Sequence, residues 1–574
     1  MKKKLRDIIQ FLLILVVLVL VNVIGNFAFH RFDLTSENRY SLNEATLGLL
    51  DKVDDRVLFK VYLEGDLEAG FQKLQRETRQ MLDEIRAYNR NIEYEFINPS
   101  ESSDRKEREE TYQQLRFKGL QPIQVEVEEK DGQSRRQLFP GALVSYKEQE
   151  VAIQILVNQF ATSPESQINA SVENLEYTLA NALRRLTLIK SPSIAVLSGH
   201  GELGDRYVAD LMMSLSTYYN ITRFNLREFV ADSITGNVSI QQQMRRLNSY
   251  DGVIIAKPTK PFSELDKYLI DQYVMNGGKT LWFIDAVHAE MDSLSYAPQF
   301  MAFPIIDQLG LGDMLFRYGV RVNTNLVQDA VAGGVNDRRG VHKWVYFPLI
   351  MPQVKHPITK DLNAIRMEFV STVDTIISPG VKKKILLRTS PYSKAVPTPH
   401  IVSLRTLYEP PPDESFRESA LPVGVLLEGS FTSMFRNRIT PKGTQGESLP
   451  LKEKSSPTQM LVVADGDLPK NQVNLVNPNL ERGAPLPLGY DQFTGMQFGN
   501  KDFILNAVDF MLDDTGLINI RSRELKLRLL DFQKIKGNEW YWKALNTALP
   551  VLAVVLFGLF FHWNRKRKFT KKIA

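Results

Sequence analysis

The 574-residue chain contains no cysteine, so disulfide bonds, cysteine-ligated metal sites and a cysteine nucleophile are excluded. It also lacks a GxxxxGK[ST] phosphate-binding loop and a GxSxG nucleophile elbow. The segment Asn276-Gly277-Gly278-Lys279-Thr280 ends like a phosphate-binding loop, but it lacks the required earlier glycine and leads into a strand. These absences argue against ATP hydrolysis by this chain. They leave hydrolysis through another serine or through a metal as the remaining catalytic routes.

The composition is that of a folded protein, with 43% apolar and 24% charged residues. At about 150 residues per domain, the length predicts three or four structural units. Two long runs have no Asp, Glu, Lys or Arg, and they are Ile8–Phe29 and Ala544–Trp563. Each is long enough to cross a bilayer core of about 30 Å as a helix. The alternative for the first run is a cleaved signal peptide. Its length and the lack of a small-x-small cleavage site favour an uncleaved anchor.

Basic residues flank the two predicted spans on their outer sides. The tails 1–7 and 564–574 carry ten Lys or Arg residues against Asp7, so the formal net charge of +5 leaves −4 for the rest of the chain. Because basic flanks stay in the cytoplasm, both termini are expected inside and the bulk of the chain in the periplasm. The basic excess thus indicates membrane topology, and nucleic acid is not an expected partner.

Hydrophobic periodicity divides the region between the spans into several parts. A small α/β domain is predicted at 30–160, with Ser41 as a helix N-cap ahead of Glu44 and a hairpin formed by Gln124–Glu129 and Ala142–Tyr146. The remaining parts are a connecting helix and linker at 161–191, an α/β domain at 192–515 with an insertion at about 290–455, and a membrane-proximal helix at 516–543.

Apolar strands alternate with helical segments after Ser193, which predicts a parallel, doubly wound sheet. The strands include DGVIIA, TLWFI and MLVVA. A strong helix is predicted at Ser263–Met275, where Ser263 is the cap, and another at Asn500–Leu512. The insertion is rich in proline and loops. Its segment GVHKWVYFPLI holds His342, and its aromatic side chains fit a surface that stacks on a sugar or packs against a partner, or a strand core, with the core favoured.

Five side chains are predicted at the carboxyl ends of these strands, where open α/β sheets bind ligands. They are His200, Glu202, Asp285, Asp465 and Asp467. The stretch SGHGELGDR resembles an active-site turn, but the seven histidines show no metal-binding spacing. Tight turns, helix caps and loop hydrogen bonds are the ordinary use of such residues. We therefore expect a cleft that binds a ligand or has a structural role, with no catalytic residue, metal or cofactor.

The order of motifs resembles the gliding-motility ABC-transporter auxiliary family GldG. The similar segments are RFDLTSENRYSLNEAT after the first span, IAVLSGHGE, NGGKTLWFIDA, VADGD, GNKDFILNAVDFML and a closing span with a basic tail. The resemblance implies a class I glutamine-amidotransferase-like domain, a fold shared with an intraflagellar transport protein and suggested to bind glycans or other ligands. It also implies the cytoplasmic membrane of gliding Bacteroidetes-type bacteria, an integral permease-like partner and a separate cytoplasmic ATPase.

We accordingly expect a non-enzymatic, membrane-anchored auxiliary subunit of an ABC-type transporter complex. Two alternatives stay open. One is an extracytoplasmic module that binds a glycan or peptide, and the other is a degenerate hydrolase that uses the cleft.

Overall fold

The computed structural model describes most of the chain in two compact units, Met1–Arg39 with Glu524–Ala574 and Tyr40–Arg523. Each unit is considered by itself. The described residues are 9, 11–20, 41–102, 104–129, 132–157, 163–188, 191–229, 239–337, 339–418, 420–442, 449–513, 515–522 and 539–570.

The larger unit begins with a small α/β domain. Its elements are α1 (Glu44–Leu50), β1 (Val57–Val61), α2 (Ala69–Tyr88), β2 (Ile92–Phe96), α3 (Arg105–Phe117), β3 (Ile123–Glu129), β4 (Gly132–Leu138), β5 (Gly141–Tyr146), β6 (Gln149–Gln154) and α4 (Pro164–Thr187). Four strands form a sheet in the order β2-β1-β5-β6. Helices α2 and α4 contact each other and bury their apolar faces in the same core as these strands.

The amphipathic spacing of α2 explains its position. Leu74, Leu82 and Ile85 recur on one face and are fully buried, whereas the basic and acidic residues between them are mostly exposed. Each such buried side chain contributes about 1.5–3 kcal/mol relative to an exposed one. The apolar spacing of this segment is thus that of a helix with one buried face.

Two local predictions for the small domain are wrong. Helix α1 is capped by Asn43, whose side chain accepts a hydrogen bond from the Ala45 amide, and not by Ser41. Strand β3 forms its hairpin with β4, while Ala142–Tyr146 lies within β5, between β1 and β6. The intervening Phe139 is fully buried, so the chain enters the core before β5 begins.

Helix α4 joins the small domain to the rest of the unit. It starts at Pro164, within the predicted connecting segment 161–191, because Ser163 caps it and proline is favoured in a first helical turn. Near its other end, Arg184 lies 3.6 Å from Asp509 and 3.9 Å from Asp513, and all three side chains are buried. Tyr219 also donates a hydrogen bond to Asp509. A buried ion cluster therefore fixes α4 to the second domain.

The second domain has the predicted alternation of strands and helices. Its first elements are β7 (Ser193–Ser198), α5 (Asp205–Ser216), β8 (Asn220–Asn225), α6 (Ile240–Leu247), β9 (Gly252–Ala256), α7 (Glu264–Met275) and β10 (Lys279–Phe283). The insertion contributes β11 (Val287–His288), β12 (Gln299–Pro304), α8 (Ile306–Leu309), α9 (Gly312–Tyr318), β13 (Val320–Val322), β14 (Asn325–Asp329), β15 (Ala332–Asp337), β16 (Gly340–Ile350), β17 (Ile365–Arg366), β18 (Val373–Thr375), β19 (Val381–Arg388), β20 (Ser393–Pro397), β21 (His400–Ser403) and β22 (Pro422–Gly429). The last elements of the domain, after the insertion, are β23 (Thr458–Val463), β24 (Tyr490–Asp491), β25 (Met496–Gln497) and α10 (Asn500–Leu512).

Seven strands form the main sheet in the order β19-β22-β23-β10-β9-β7-β8. The five from β23 to β8 are mutually parallel, as the sequence predicts. Alternate residues face opposite layers: Ile254 packs in the core that contains α5 and α10, and Ile255 packs in the core that contains α6 and α7. The sheet therefore has helices on both faces.

The insertion predicted at about 290–455 adds strands to the main sheet. Its strands β22 and β19 extend the parallel sheet by antiparallel pairing. In β16, Trp344, Tyr346 and Phe347 are buried around Phe369, so these aromatic side chains form a core, whereas His342 stays partly exposed, 3.4 Å from Asp337. The favoured strand-core interpretation is confirmed for the three aromatic residues.

The smaller unit contains two apolar helical segments among its described residues. One helix, Trp540–Lys568, has the length and apolar character required to cross a membrane, with a mean hydropathy of 2.2 over an 18-residue stretch. It extends beyond the predicted span 544–563 at both ends. The predicted span 8–29 is described only at residue 9 and as the shorter apolar helix Phe11–Leu20. Of the predicted helix 516–543, the structure has a 3-10 turn at Leu517–Ser522 and helix from Glu539, and the part between lies outside the described residues.

We predict that Arg184→Met lowers the free energy of unfolding by about 3–5 kcal/mol, because it leaves buried Asp509 and Asp513 without their cation. Arg56→Met is the matched control, since Arg56 pairs with Glu93 in an exposed position where such pairs contribute about 0–1 kcal/mol. Denaturant unfolding of the detergent-solubilised chain measures both changes. Equal losses in the two variants would contradict the prediction.

Candidate functional site

The sheet order creates a reversal of winding within the parallel strands. Strand β8 follows β7 on one side, whereas β9, β10 and β23 follow on the other. In open α/β sheets the carboxyl ends of strands beside such a reversal form the usual ligand crevice. The turn after β7 and Lys257 directly after β9 occupy this position.

The turn after β7 places His200 in the interior. Its imidazole is fully buried and stacks on Phe262, with ring centroids 3.7 Å apart and planes 2° from parallel. Gly201 has φ +72°, and a Cβ there would lie 2.2 Å from the Thr259 hydroxyl oxygen. The glycine is thus required both by the left-handed backbone and by the close approach of the loop after β9. That loop donates the Thr259 and Lys260 amides to the His200 carbonyl.

Two carboxylates hold the His200 ring. Nδ1 lies 3.4 Å from Glu202 and Nε2 lies 3.1 Å from Asp266, and both carboxylate side chains are buried. Burial lowers the pKa of His200, but the two carboxylates outweigh it and raise its pKa above 6.5. Burial also opposes the charge on Asp266, yet His200, Ser263 and Arg227 hold the pKa of that carboxyl well below its usual range. The group is a buried ion cluster between the β7 turn and the first turn of α7.

The second group of predicted residues lies at the ends of β10 and β23. Asp285, Asp465 and Asp467 each present one carboxylate oxygen within 4.8 Å of the others. Asp285 accepts a 2.6 Å hydrogen bond from the Gly466 amide, and Asp465 accepts one of 2.8 Å from the Asp467 amide. The Asp-Gly-Asp turn is therefore tied to the neighbouring strand end. Gly466 leaves no room for a side chain, since a Cβ would lie 2.8 Å from Lys257 and 3.0 Å from Asp285.

Lys257 is the cation of this group. Its ammonium donates a 2.5 Å hydrogen bond to Asp467 and lies 3.2 Å from Asp285 and 3.7 Å from Glu290. Lys257 itself has φ +54°, so the backbone at the end of β9 adopts a left-handed conformation that turns the chain there. Lys470 approaches Asp467 from the other side at 3.2 Å. Two lysines thus neutralise the Asp467 carboxylate.

The surroundings shift the pKa values of the three carboxyl groups in different directions. Burial raises the pKa of Asp285 to about 6, against the attraction of Lys257. Burial raises the pKa of Asp465 well above its usual range, and the charges of Asp285 and Asp467 add to this effect. The pKa of Asp467 is lowered despite burial, because Lys257 and Lys470 favour its ionised form. The surroundings therefore favour the ionised form of Asp467 and the neutral form of Asp465.

The structure joins the five sequence-predicted residues in two groups. His200 and Glu202 form one group with Asp266, and Asp285, Asp465 and Asp467 form the other with Lys257. No hydrogen bond or ion pair connects the side chains of the two groups among the residues described. Sequence reasoning missed Asp266 and Lys257. Lys257 directly follows a buried strand, which is the same signal that identified Asp285, whereas Asp266 looked like an ordinary helix-capping residue.

The chemistry available at this edge is limited by burial and pairing. Carboxylate oxygens at this spacing are of the kind that Mg²⁺ or Ca²⁺ prefers, but the Lys257 ammonium already lies among them. The cavity next to Asp467, lined also by Arg366, Lys470 and Tyr490, has a volume of only about 40 Å³. Ligand pockets usually span about 300–1,000 Å³. The Gly277-Gly278-Lys279 segment lies between the end of α7 and the start of β10, so it is a helix-to-strand turn at the amino end of that strand.

We predict that Lys257→Met lowers the free energy of unfolding by about 3–5 kcal/mol at pH 7, because Asp285 and Asp467 lose their shared cation. Lys470→Met is the matched control, since Lys470 contacts only Asp467 of the three aspartates and is more exposed. Denaturant unfolding at pH 7 and pH 5 measures both variants. The deficit of Lys257→Met should shrink at pH 5, where Asp285 takes up a proton; a deficit independent of pH argues against the assigned charges.

The raised pKa of His200 leads us to predict a second dependence of stability on pH. A histidine whose pKa is raised on folding contributes stability that is complete below the unfolded pKa of 6.5 and is lost as pH rises through the higher folded value. His200→Gln should therefore lower the unfolding temperature more at pH 6 than at pH 9. Thermal unfolding across this range tests it, and parallel curves for wild type and variant would show that His200 does not gain a proton in the folded state.

Comparison with known proteins identifies the family. The model described as an ABC-type uncharacterized transport system, an auxiliary-component family, matches residues 191–507, and a domain of unknown function (DUF7088) matches residues 36–145. No curated protein matches the chain. A solved structure titled "mmIFT52 N-terminal domain" is 12% identical, covers 56% of this chain and 98% of its own, and has a TM-score of 0.31, too low to establish a shared fold. Because the first model spans more than half of the 574 residues, the chain belongs to the auxiliary family of ABC-type transport systems.

Proposed function

We propose that the chain is a non-enzymatic, membrane-anchored extracytoplasmic subunit of an ABC-type complex that supports gliding motility. The observation that carries this proposal is the family match over residues 191–507, which include the whole parallel part of the main sheet. The motif order that resembles the GldG family supports the more specific role in gliding.

The burial and pairing of the side chains at the carboxyl edge of the sheet support a role without catalysis. Its histidine is fully buried between two carboxylates, and its aspartates are buried against Lys257. A general base must reach a substrate proton within about 2.6–3.2 Å or through one water. A side chain stacked beneath Phe262 and enclosed by its own partners does not offer that access. We therefore assign these ion pairs to holding the loops of the edge in place.

The membrane arrangement follows from the terminal segments. The apolar helix Trp540–Lys568 supplies an anchor, and it is followed in sequence by Lys571 and Lys572. Basic residues also precede the first apolar run. By the positive-inside tendency, both termini are cytoplasmic, two spans cross the inner membrane and residues between them are periplasmic. Since this chain has no phosphate-binding loop, ATP hydrolysis belongs to a separate cytoplasmic ATPase beside an integral permease-like subunit.

The alternatives depend on an accessible edge. A glycan needs a larger cavity than the 40 Å³ beside Asp467, so binding there requires the edge to open. A degenerate hydrolase would in addition need a nucleophile or an activated water in contact with His200 or Asp467. Neither alternative is favoured by a specific contact among the described residues.

Affinity purification of the tagged full chain from native membranes tests the proposal. We expect an integral membrane permease and a nucleotide-binding ATPase to co-purify under mild detergent, since the proposed auxiliary subunit works beside both. The matched control is a chain that ends before Glu539 and so lacks the helix Trp540–Lys568; loss of the anchor should reduce recovery of both partners. Purification of the full chain alone would contradict the proposed complex.

Genetic rescue separates the auxiliary role from the enzymatic alternative. A deletion strain should lose gliding and regain it with Asp285→Asn, a variant of equal size that removes one carboxylate charge from the edge. If Asp285→Asn accumulates to wild-type levels and co-purifies with the partners but fails to restore gliding, an edge with chemical activity becomes the better interpretation.

A further inference from the structure

A large concave surface of the described second domain lies in the insertion, apart from the strand ends considered above. It is a groove of about 870 Å³ between helix α9 with strand β13, the loop that follows β18, and the loop that follows β22. We call it the basic groove and define it by Phe316, Arg317, Arg321, Ile377, Arg436 and Lys454. Its volume falls within the range of about 300–1,000 Å³ typical of ligand sites.

Positive charge in the groove exceeds its local compensation. Five basic and two acidic side chains line it. Of the basic ones, Arg438 pairs with Asp313 at 2.9 Å and Arg436 with Glu453 at 3.4 Å. Arg317, Arg321 and Lys454 are exposed and have no ion pair with any residue that the structure describes. Arg317 and Arg321 come from the wall formed by α9 and β13, and Lys454 comes from the segment before β23, so the three cations border the groove on two sides.

Apolar side chains are exposed between these cations. Ile377 is 95% exposed and Phe316 is 51% exposed, although both are large hydrophobic residues. The helix that carries Phe316 is firmly seated, since Met314 and Tyr318 are buried and the Tyr318 hydroxyl donates a hydrogen bond to buried Asp271. The exposure of Phe316 is therefore a property of a packed helix.

We propose that the basic groove binds an acidic, apolar-containing peptide segment of a partner protein. A small anion is bound by donors that converge on one point, whereas these cations are distributed over two of the groove's walls with apolar side chains among them. An extended chain that alternates carboxylates with apolar side chains matches both the charge and the exposed Phe316 and Ile377. The proposal is independent of the strand-end residues and of the proposed role in gliding.

Fluorescence anisotropy with a defined probe tests this proposal on the detergent-solubilised full chain. The probe is a labelled peptide of three Glu-Glu-Leu-Gly repeats, and the control peptide carries Gln in place of Glu. We expect the Glu peptide to bind at least about tenfold more tightly than the Gln peptide in 0.1 M salt. The difference should largely disappear in 1 M salt, where the screening length falls to about 3 Å.

A triple variant, Arg317→Glu, Arg321→Glu and Lys454→Glu, should weaken binding of the Glu peptide at least tenfold. The matched control reverses Arg76, Arg90 and Lys106, which are exposed in the small domain, make no ion pair among the described residues and give the same change in net charge; it should change affinity less than twofold. Equal binding of the two peptides, absence of binding, or equal losses in both triple variants overturns the proposal. So does a groove-dependent loss seen with anionic lipid vesicles but not with the peptide.

Discussion

The buried ammonium of Lys257 is the charge on which the carboxyl edge of the sheet depends. Three strands, β9, β10 and β23, end in a space that holds Lys257, Asp285 and Asp467, and none of these groups has full access to water. Burying an unpaired charge in such surroundings is energetically unfavourable. The three strand ends can therefore lie together only because the cation and the carboxylates that they carry are paired. The same constraint explains Gly466, because the cation and the Asp285 carboxyl occupy the space that a side chain would need.

A second group of buried titratable side chains joins neighbouring segments at the point where the winding of the sheet reverses. His200, held by Glu202 and Asp266, links the turn after β7 to the start of α7, much as Lys257 links β9 to its neighbours. The position that open α/β sheets use for ligands is thus occupied here by the protein's own charges. The groove that we propose as a peptide-binding surface lies instead on the insertion, where Arg317 and Arg321 have exposed cationic groups.

Structural features that depend on residues close together in the sequence could be predicted, whereas features that depend on contacts between distant segments could not. The bounds of Asn500–Leu512 and the Ser263 cap follow from local periodicity and capping chemistry, and the structure has both. The clustering of the three aspartates follows from parallel strands that end at one edge. In contrast, the hairpin partner of β3 and the pairing of β22 with β23 depend on contacts between segments that short-range patterns do not specify. The burial of His200 belongs to the same class, since it is produced by Phe262 and Asp266 from another part of the chain.

Helix α4 has a mechanical consequence for the larger unit. Its 24 residues span about 36 Å at 1.5 Å per residue, with one face in the core of the small domain and Arg184 anchored to Asp509 and Asp513 of the second. Because contacts with both domains hold this helix, it is a stiff connection between them. Through these buried contacts, a displacement of the small domain acts on α10 and on the core in which α10 packs.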